Sequence, residues 1–117
     1  MHLETDSPNT IRVMLSVNKK DKKCTAYHLI IPSFDKYFSG TGDLTASLFY
    51  GWWKKQKDIY SVRKPLFNTL ATVNAIVSMT YDMNSNELLL IEGQSYIRYP
   101  PINKFKYDLT IREYKLK

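Results

Sequence analysis

Phe38-Ser39-Gly40-Thr41-Gly42-Asp43-Leu44-Thr45-Ala46-Ser47-Leu48 is the stretch around which the rest of the chain is organised. Two glycines flank a threonine, an aspartate follows, and an apolar pattern of helical period begins at once. Leu44, Leu48 and Trp52 recur every four residues with Phe49 beside them, so one face of a helix is apolar. Glycine takes backbone angles closed to other residues and lets a ligand approach the main chain. The first N–H groups of a helix point outward at the positive end of its macrodipole, so Gly40, Thr41 and Gly42 read as an anion site. Asp43 stands at the mouth of that site, where a carboxylate is placed to take a proton from an attacking hydroxyl. The same residues also read as a tight turn closed by an aspartate N-cap. Turn and anion site are compatible readings.

Upstream, Ile11 to Val17 carries β-branched residues in partial alternation and reads as a strand. Asn18 to Lys23 is a charged turn, and Thr25 to Ile31 reads as the antiparallel partner that completes a hairpin. Pro32 ends that strand, and Ser33 to Ser39 is a loop leading into the glycines. Residues 1–10 are polar and without periodicity, a flexible lead-in. Downstream, the first helix is expected from about Gly42 to Lys55. Trp52 and Trp53 are successive positions and cannot both face inward, so Trp53 belongs to a different interface. Lys54, Lys55 and Lys57 suit the negative end of the helix. Pro65 is tolerable in a first helical turn, and Leu66, Leu70, Val73, Ile76 and Val77 then recur at helical spacing to about Met79. Thr69, Thr72 and Asn74 read as polar residues of that helix's surface. Glu87 to Glu92 is a short apolar run between turn signals, which predicts a buried strand. The tail alternates Tyr107, Leu109 and Ile111 with Lys106, Asp108 and Thr110, an exposed strand.

Composition narrows the function classes. The chain has 117 residues, of which 44% are hydrophobic, enough for a core and against global disorder. The net charge of +6 comes from 17 basic and 11 acidic residues, but no recognition motif accompanies it, so no nucleic-acid partner is expected. The single cysteine, Cys24, allows no internal disulfide, and the two histidines are far apart, so no metal site is assigned. His28 and Cys24 read as ordinary strand residues. No apolar run approaches the length of a membrane span, and the N-terminus lacks a signal peptide's apolar stretch. The expectation is therefore a cytoplasmic protein with no membrane partner.

Gly40-Thr41-Gly42-Asp43-Leu44 resembles the signature of pyridoxal kinases, within the ribokinase-like superfamily. The resemblance extends upstream through Tyr27-His28-Leu29-Ile30-Ile31-Pro32-Ser33-Phe34-Asp35-Lys36-Tyr37-Phe38, and downstream to Trp52 and to Glu87-Leu88-Leu89-Leu90. It covers roughly residues 11 to 97. It implies an α/β chain, the C-terminal portion of a ribokinase-like three-layer α/β/α fold, with residues 11–117 forming part of a kinase domain and 33–43 its nucleotide loop. A complete enzyme of this kind is about twice this length or more. The implied reaction is ATP-dependent phosphorylation of the 5′-hydroxymethyl group of pyridoxal, pyridoxine or pyridoxamine, with Mg2+ screening the phosphates. Asp43 is implied as the base and Gly40, Thr41 and Gly42 as the anion hole. Phe38 and Ser39 are implied near the adenine and phosphates, although Phe38 reads equally as an anchor buried beneath the loop. Val73 and Asn74 are implied on a helix against the base. The family's upstream metal and substrate residues have no counterpart among these positions, so a homodimer or a complementing N-terminal half is the expected partner. Two rival readings stand beside this one: a non-catalytic nucleotide-binding remnant or subunit, and a basic nucleic-acid-binding module.

Overall fold

The computed structural model describes residues 2–7, 10–18, 23–34, 36, 38–58 and 60–115. The chain divides into two compact units, Met1–Asp35 with Lys106–Lys117, and Lys36–Phe105.

The first unit is an antiparallel sheet of β1 (His2–Ser7), β2 (Thr10–Asn18), β3 (Lys23–Pro32) and β4 (Asp108–Lys115), in the order β1-β2-β3-β4. The β2–β3 hairpin and the strand in the tail are as expected. Residues 19–22 of the expected charged turn lie outside the described residues. The period of two puts one row of apolar side chains in register across the sheet. Val13 opposes Leu29, which opposes Leu109, and Leu15 opposes Tyr27, which opposes Ile111. Val13 and Leu29 are fully buried, and Leu15, Ala26 and Ile31 nearly so. Cys24 and His28 are half-buried strand residues, as their sequence context implies. The lead-in expected over residues 1–10 is corrected: residues 2–7 form β1, paired antiparallel with β2 through Leu3↔Val13 and Thr5↔Ile11. A strand edge offers a row of unpaired N–H and C=O groups that any segment without proline can complete. Side-chain patterning therefore gave no warning of it.

The second unit is built on α1 (Thr41–Lys54) and α2 (Arg63–Asp82), followed by the short helix α3 (Gln94–Arg98) and a single 3₁₀ turn, Ile102–Lys104. Both long helices lie within a residue or three of their expected bounds. Pro65 sits in the first turn of α2, where its missing N–H costs nothing. Every residue from Pro65 to Val73 is buried, so no face of this half of α2 is open to solvent. That corrects Thr69 and Thr72 as surface polars. The Thr72 hydroxyl shares its proton between Asn68 O at 2.8 Å and Tyr96 O at 3.0 Å, which lets a polar side chain sit in the core and ties α3 to α2.

The apolar run Glu87–Glu92 is not a strand. Among the described residues its one ladder contact is a parallel bridge between Ser39 and Glu87. The remaining groups are used locally: Leu90 N–H donates to Leu88 O, Gly93 N–H to Leu89 O at 2.9 Å, and Leu89 N–H to the Thr80 hydroxyl at 3.1 Å. A strand needs a neighbour along its length, and here Thr80 and the turn take up the main-chain groups instead. Leu90 and Ile91 are consequently exposed. Gly93, which follows, is buried tightly: a Cβ there would meet Ile76 Cγ1 at 2.8 Å and Leu89 O at 3.0 Å. Gly93→Ala should therefore destabilise the chain by about 1–3 kcal/mol, the usual range for overpacking. In a thermal melt this is a fall in Tm of roughly 4–8 °C per kcal/mol for a small domain. An unchanged Tm would show that Ile76 yields freely.

Candidate anion site at the start of helix α1

Gly40 is the N-cap of α1, with φ +89° and ψ 0°. Only glycine takes that left-handed conformation without strain, and it turns the chain sharply into the helix. The first helical hydrogen bond runs from Leu44 N–H to Gly40 O at 2.9 Å. The N–H groups of Thr41, Gly42 and Asp43 precede the intrahelical ladder, and no side chain caps them. Gly40 and Gly42 are exposed, and a Cβ built on either meets nothing within 4 Å. The main chain at both glycines is thus uncovered where a side chain would stand. This donor set fits an anion such as a phosphate: backbone N–H groups, the positive end of a helix and no competing side chain.

Several ties hold the turn. The Thr41 hydroxyl donates to Phe38 O at 3.1 Å, and the buried Thr45 hydroxyl donates to Thr41 O at 2.8 Å. Lys36 Nζ donates to Ser85 O at 3.1 Å and lies 5.8 Å from the Phe38 ring centroid. Ser39 pairs with Glu87 through the parallel bridge. Sequence reasoning passed over Thr45, Lys36 and Ser85. Only Thr45 had a readable signal, a hydroxyl four residues beyond Thr41 at back-bonding distance along a helix.

Asp43 is the acidic residue of α1's first turn, and its carboxylate is exposed. The reading of Asp43 as N-cap is corrected. A cap flanks the helix, whereas Asp43 is the third helical residue and makes no cap bond; Gly40 takes the cap position because it alone accepts the left-handed turn. Phe38 is 5% exposed, the anchor beneath the loop rather than an open ring. Ser39 is exposed beside the glycines. Val73 is buried, and Asn74 is half-buried on the wall of a cleft of about 650 Å³ between α2 and the Pro100–Phe105 segment. No residue of 38–43 lines that cleft; Ser39 to Asp43 are neighbours in the turn and first helical residues at the start of α1. Asp35 and Tyr37 of the expected nucleotide loop lie outside the described residues.

Along α1, Leu44, Leu48 and Trp52 are half-buried, and Trp53 is half-buried with its ring 6.2 Å from that of Tyr50. Among the described residues no group of three His, Cys, Asp or Glu side chains is placed to hold a metal ion. None of their helices is long and apolar enough to cross a membrane.

No protein-family model matches the chain. Pyridoxal kinase PdxY of Corynebacterium diphtheriae is 31% identical over 104 residues, a match that covers 80% of this chain and 35% of the relative. A pyridoxal kinase of Arabidopsis thaliana is 29% identical over 104 residues, covering 79% of this chain and 33% of the relative. The chain thus spans about a third of the length of the curated relatives it matches. Among solved structures, pyridoxal kinase from Leishmania donovani in complex with ADP superposes with a TM-score of 0.74 at 16% identity, covering 92% of this chain and 34% of the other. Plasmodium falciparum PdxK with AMP-PNP and PL does so with a TM-score of 0.69 at 20% identity, covering 87% of this chain and 33% of the other. These superpositions bear on the fold, and they carry the α/β, ribokinase-like class expected from Gly40 to Leu44 and its flanks. In sequence and in fold, this chain is similar to about a third of a pyridoxal kinase.

Proposed function

We propose that this chain carries the phosphoryl-transfer loop of a pyridoxal kinase, acting in ATP-dependent phosphorylation of the 5′-hydroxymethyl group of pyridoxal, pyridoxine or pyridoxamine. The observation that carries the reading is the bare start of α1: a left-handed Gly40, N–H groups of Thr41, Gly42 and Asp43 without a side-chain cap, and an exposed carboxylate in the same turn. In this reading the amides of Gly40, Thr41 and Gly42 hold the moving phosphoryl group, and their fixed orientation stabilises the charge that develops on it. Asp43 accepts the proton of the attacking hydroxyl as the new O–P bond forms. The leaving oxygen departs with ADP. Ser39, Val73 and Asn74 remain candidates for contacts on the nucleotide side. Phe38 supports the loop from below.

Magnesium belongs to the same proposal. It keeps several waters and binds through one or two carboxylates together with substrate phosphates. It would therefore arrive with ATP, and it would supply charge screening for the phosphates. A second chain, either another copy or a complementing half, supplies the contacts to the vitamer, and a cytoplasmic location is part of this reading. The alternative is a nucleotide-binding remnant without turnover. It is favoured by one observation, that the chain spans about a third of its relatives' length.

Calorimetry with Mg-ATP, alone and with pyridoxal present, tests the proposal. Saturable binding of ATP supports the loop reading, and formation of pyridoxal 5′-phosphate on adding a vitamer separates enzyme from remnant. Absence of ATP binding overturns both.

A further inference from the structure

We propose that the groove between α1 and α3 docks an acidic, apolar segment of a partner protein. The groove has a volume of about 570 Å³. Leu48, Gly51 and Trp52 line it from α1, Lys55 from the C-cap of that helix, and Ile97 and Arg98 from α3. Leu48, Gly51, Trp52 and the cap residue Lys55, whose backbone is still right-handed helical, are spaced i, i+3, i+4 and i+7, so they share one face. This face lies beyond the glycine turn: Lys55 is about 18 Å along the helix from Asp43 at 1.5 Å per residue. No residue of 40–43 lines the groove, so the inference stands apart from the nucleotide reading.

Three features point to the occupant. The first is Gly51. A glycine in a helix interior costs about 1 kcal/mol relative to alanine. Nothing in the chain demands it, since a Cβ there would meet nothing within 4 Å. Its effect is a notch in the floor of the groove between Leu48 and Lys55. The second is charge. Lys55 and Arg98 line the groove, no aspartate or glutamate does, and neither cation has a carboxylate partner among the described residues. The third is the apolar part. Leu48, Trp52 and Ile97 are only half-buried, and the Trp52 ring lies under Lys55 Nζ at 5.0 Å from its centroid. Tryptophan and arginine beside a notch are the residue types that dominate binding energy at protein interfaces.

A segment that places an apolar side chain in the notch and carboxylates against Lys55 and Arg98 matches all three. A nucleic-acid backbone matches less well, because affinity there grows with a stripe of many phosphate contacts and this groove has two cations. A membrane surface is flat and suits a long amphipathic helix rather than a concave groove. A second copy meeting this groove through the same face would set Lys55 and Arg98 against their own counterparts, like charge against like.

The test uses the full chain and a fluorescein-labelled peptide repeating Glu-Leu-Phe-Glu, with a control peptide in which glutamine replaces every glutamate. Anisotropy should show binding of the acidic peptide, accompanied by a change in tryptophan fluorescence that is lost in Trp52→Phe. Lys55→Glu with Arg98→Glu should weaken it roughly tenfold or more, since two attractions become two repulsions. Gly51→Leu, which fills the notch and favours the helix, should weaken it as well. Lys57→Glu with Lys64→Glu, outside the groove, should change affinity by less than about twofold. Circular dichroism melts confirm that each variant is folded. The proposal is overturned by equal binding of the glutamine peptide, by unchanged affinity in the Lys55→Glu, Arg98→Glu variant, or by capture of anionic vesicles or single-stranded DNA with no binding of the acidic peptide.

Discussion

Replacing Asp43 by asparagine should lower turnover by roughly 10²–10⁴-fold, the usual share of general-base catalysis, and leave ATP affinity within a few-fold. The two side chains have nearly the same size and hydrogen-bonding reach, but the amide cannot accept the hydroxyl's proton. Asp43 is exposed in the first turn of α1 and is the third helical residue, not the cap, so the fold does not depend on it as an N-cap. The stability cost is limited to its interaction with the helix dipole, about 0.3–1 kcal/mol. A large kinetic loss with a small change in Tm is therefore the expected pair of results. Steady-state kinetics should be run on this chain and, in parallel, on the Corynebacterium diphtheriae kinase with this chain in place of its matching third. A turnover within about twofold of the parent in both settings removes Asp43 from the base role, since the expected loss is far larger.

Gly42→Val should weaken ATP binding by roughly 10–100-fold. The estimate is the loss of one or so hydrogen bonds to a charged group, about 1.5–3 kcal/mol, at 1.4 kcal/mol per decade. The structure makes this a clean experiment. Gly42 is exposed inside a helix, and a Cβ there meets nothing within 4 Å, so valine fits the free chain and leaves its stability nearly unchanged. In the proposed reading, its bulk falls where ATP would lie against the main chain. The same change at Gly40 would be harder to interpret, because φ +89° strains any side chain whatever it does to ATP. Calorimetry with Mg-ATP on wild type and Gly42→Val decides the matter; equal affinities would show that the glycine turn does not hold the phosphates.

The sequence alone determined those features whose cause is local. The β2–β3 hairpin was legible because both strands carry their own alternation and are close in sequence, Asn18 pairing with Cys24. Helix α2 was legible in Leu66, Leu70, Val73 and Ile76, all of which are buried. The glycine turn and the helix behind it were legible because Gly40 requires a conformation that its neighbours cannot take.

Tertiary structure decided what depends on partners distant along the chain. It made β1 a strand through the edge of β2, although the side chains of residues 2–7 carry no pattern that demands one. It turned the apolar run at Glu87–Glu92 away from a strand because Thr80, on α2, takes the Leu89 amide and Gly93 packs on Ile76. It buried Thr69 and Thr72, whose type alone reads as surface, and bound the Thr72 hydroxyl to a carbonyl twenty-four residues away. It also set Asp43 inside the first turn instead of at the cap, a difference of three residues that no propensity resolves but that decides whether its carboxylate caps the backbone. Local conformational preference acts over a few residues. The exposure of a site is set by whichever groups the whole chain brings against it.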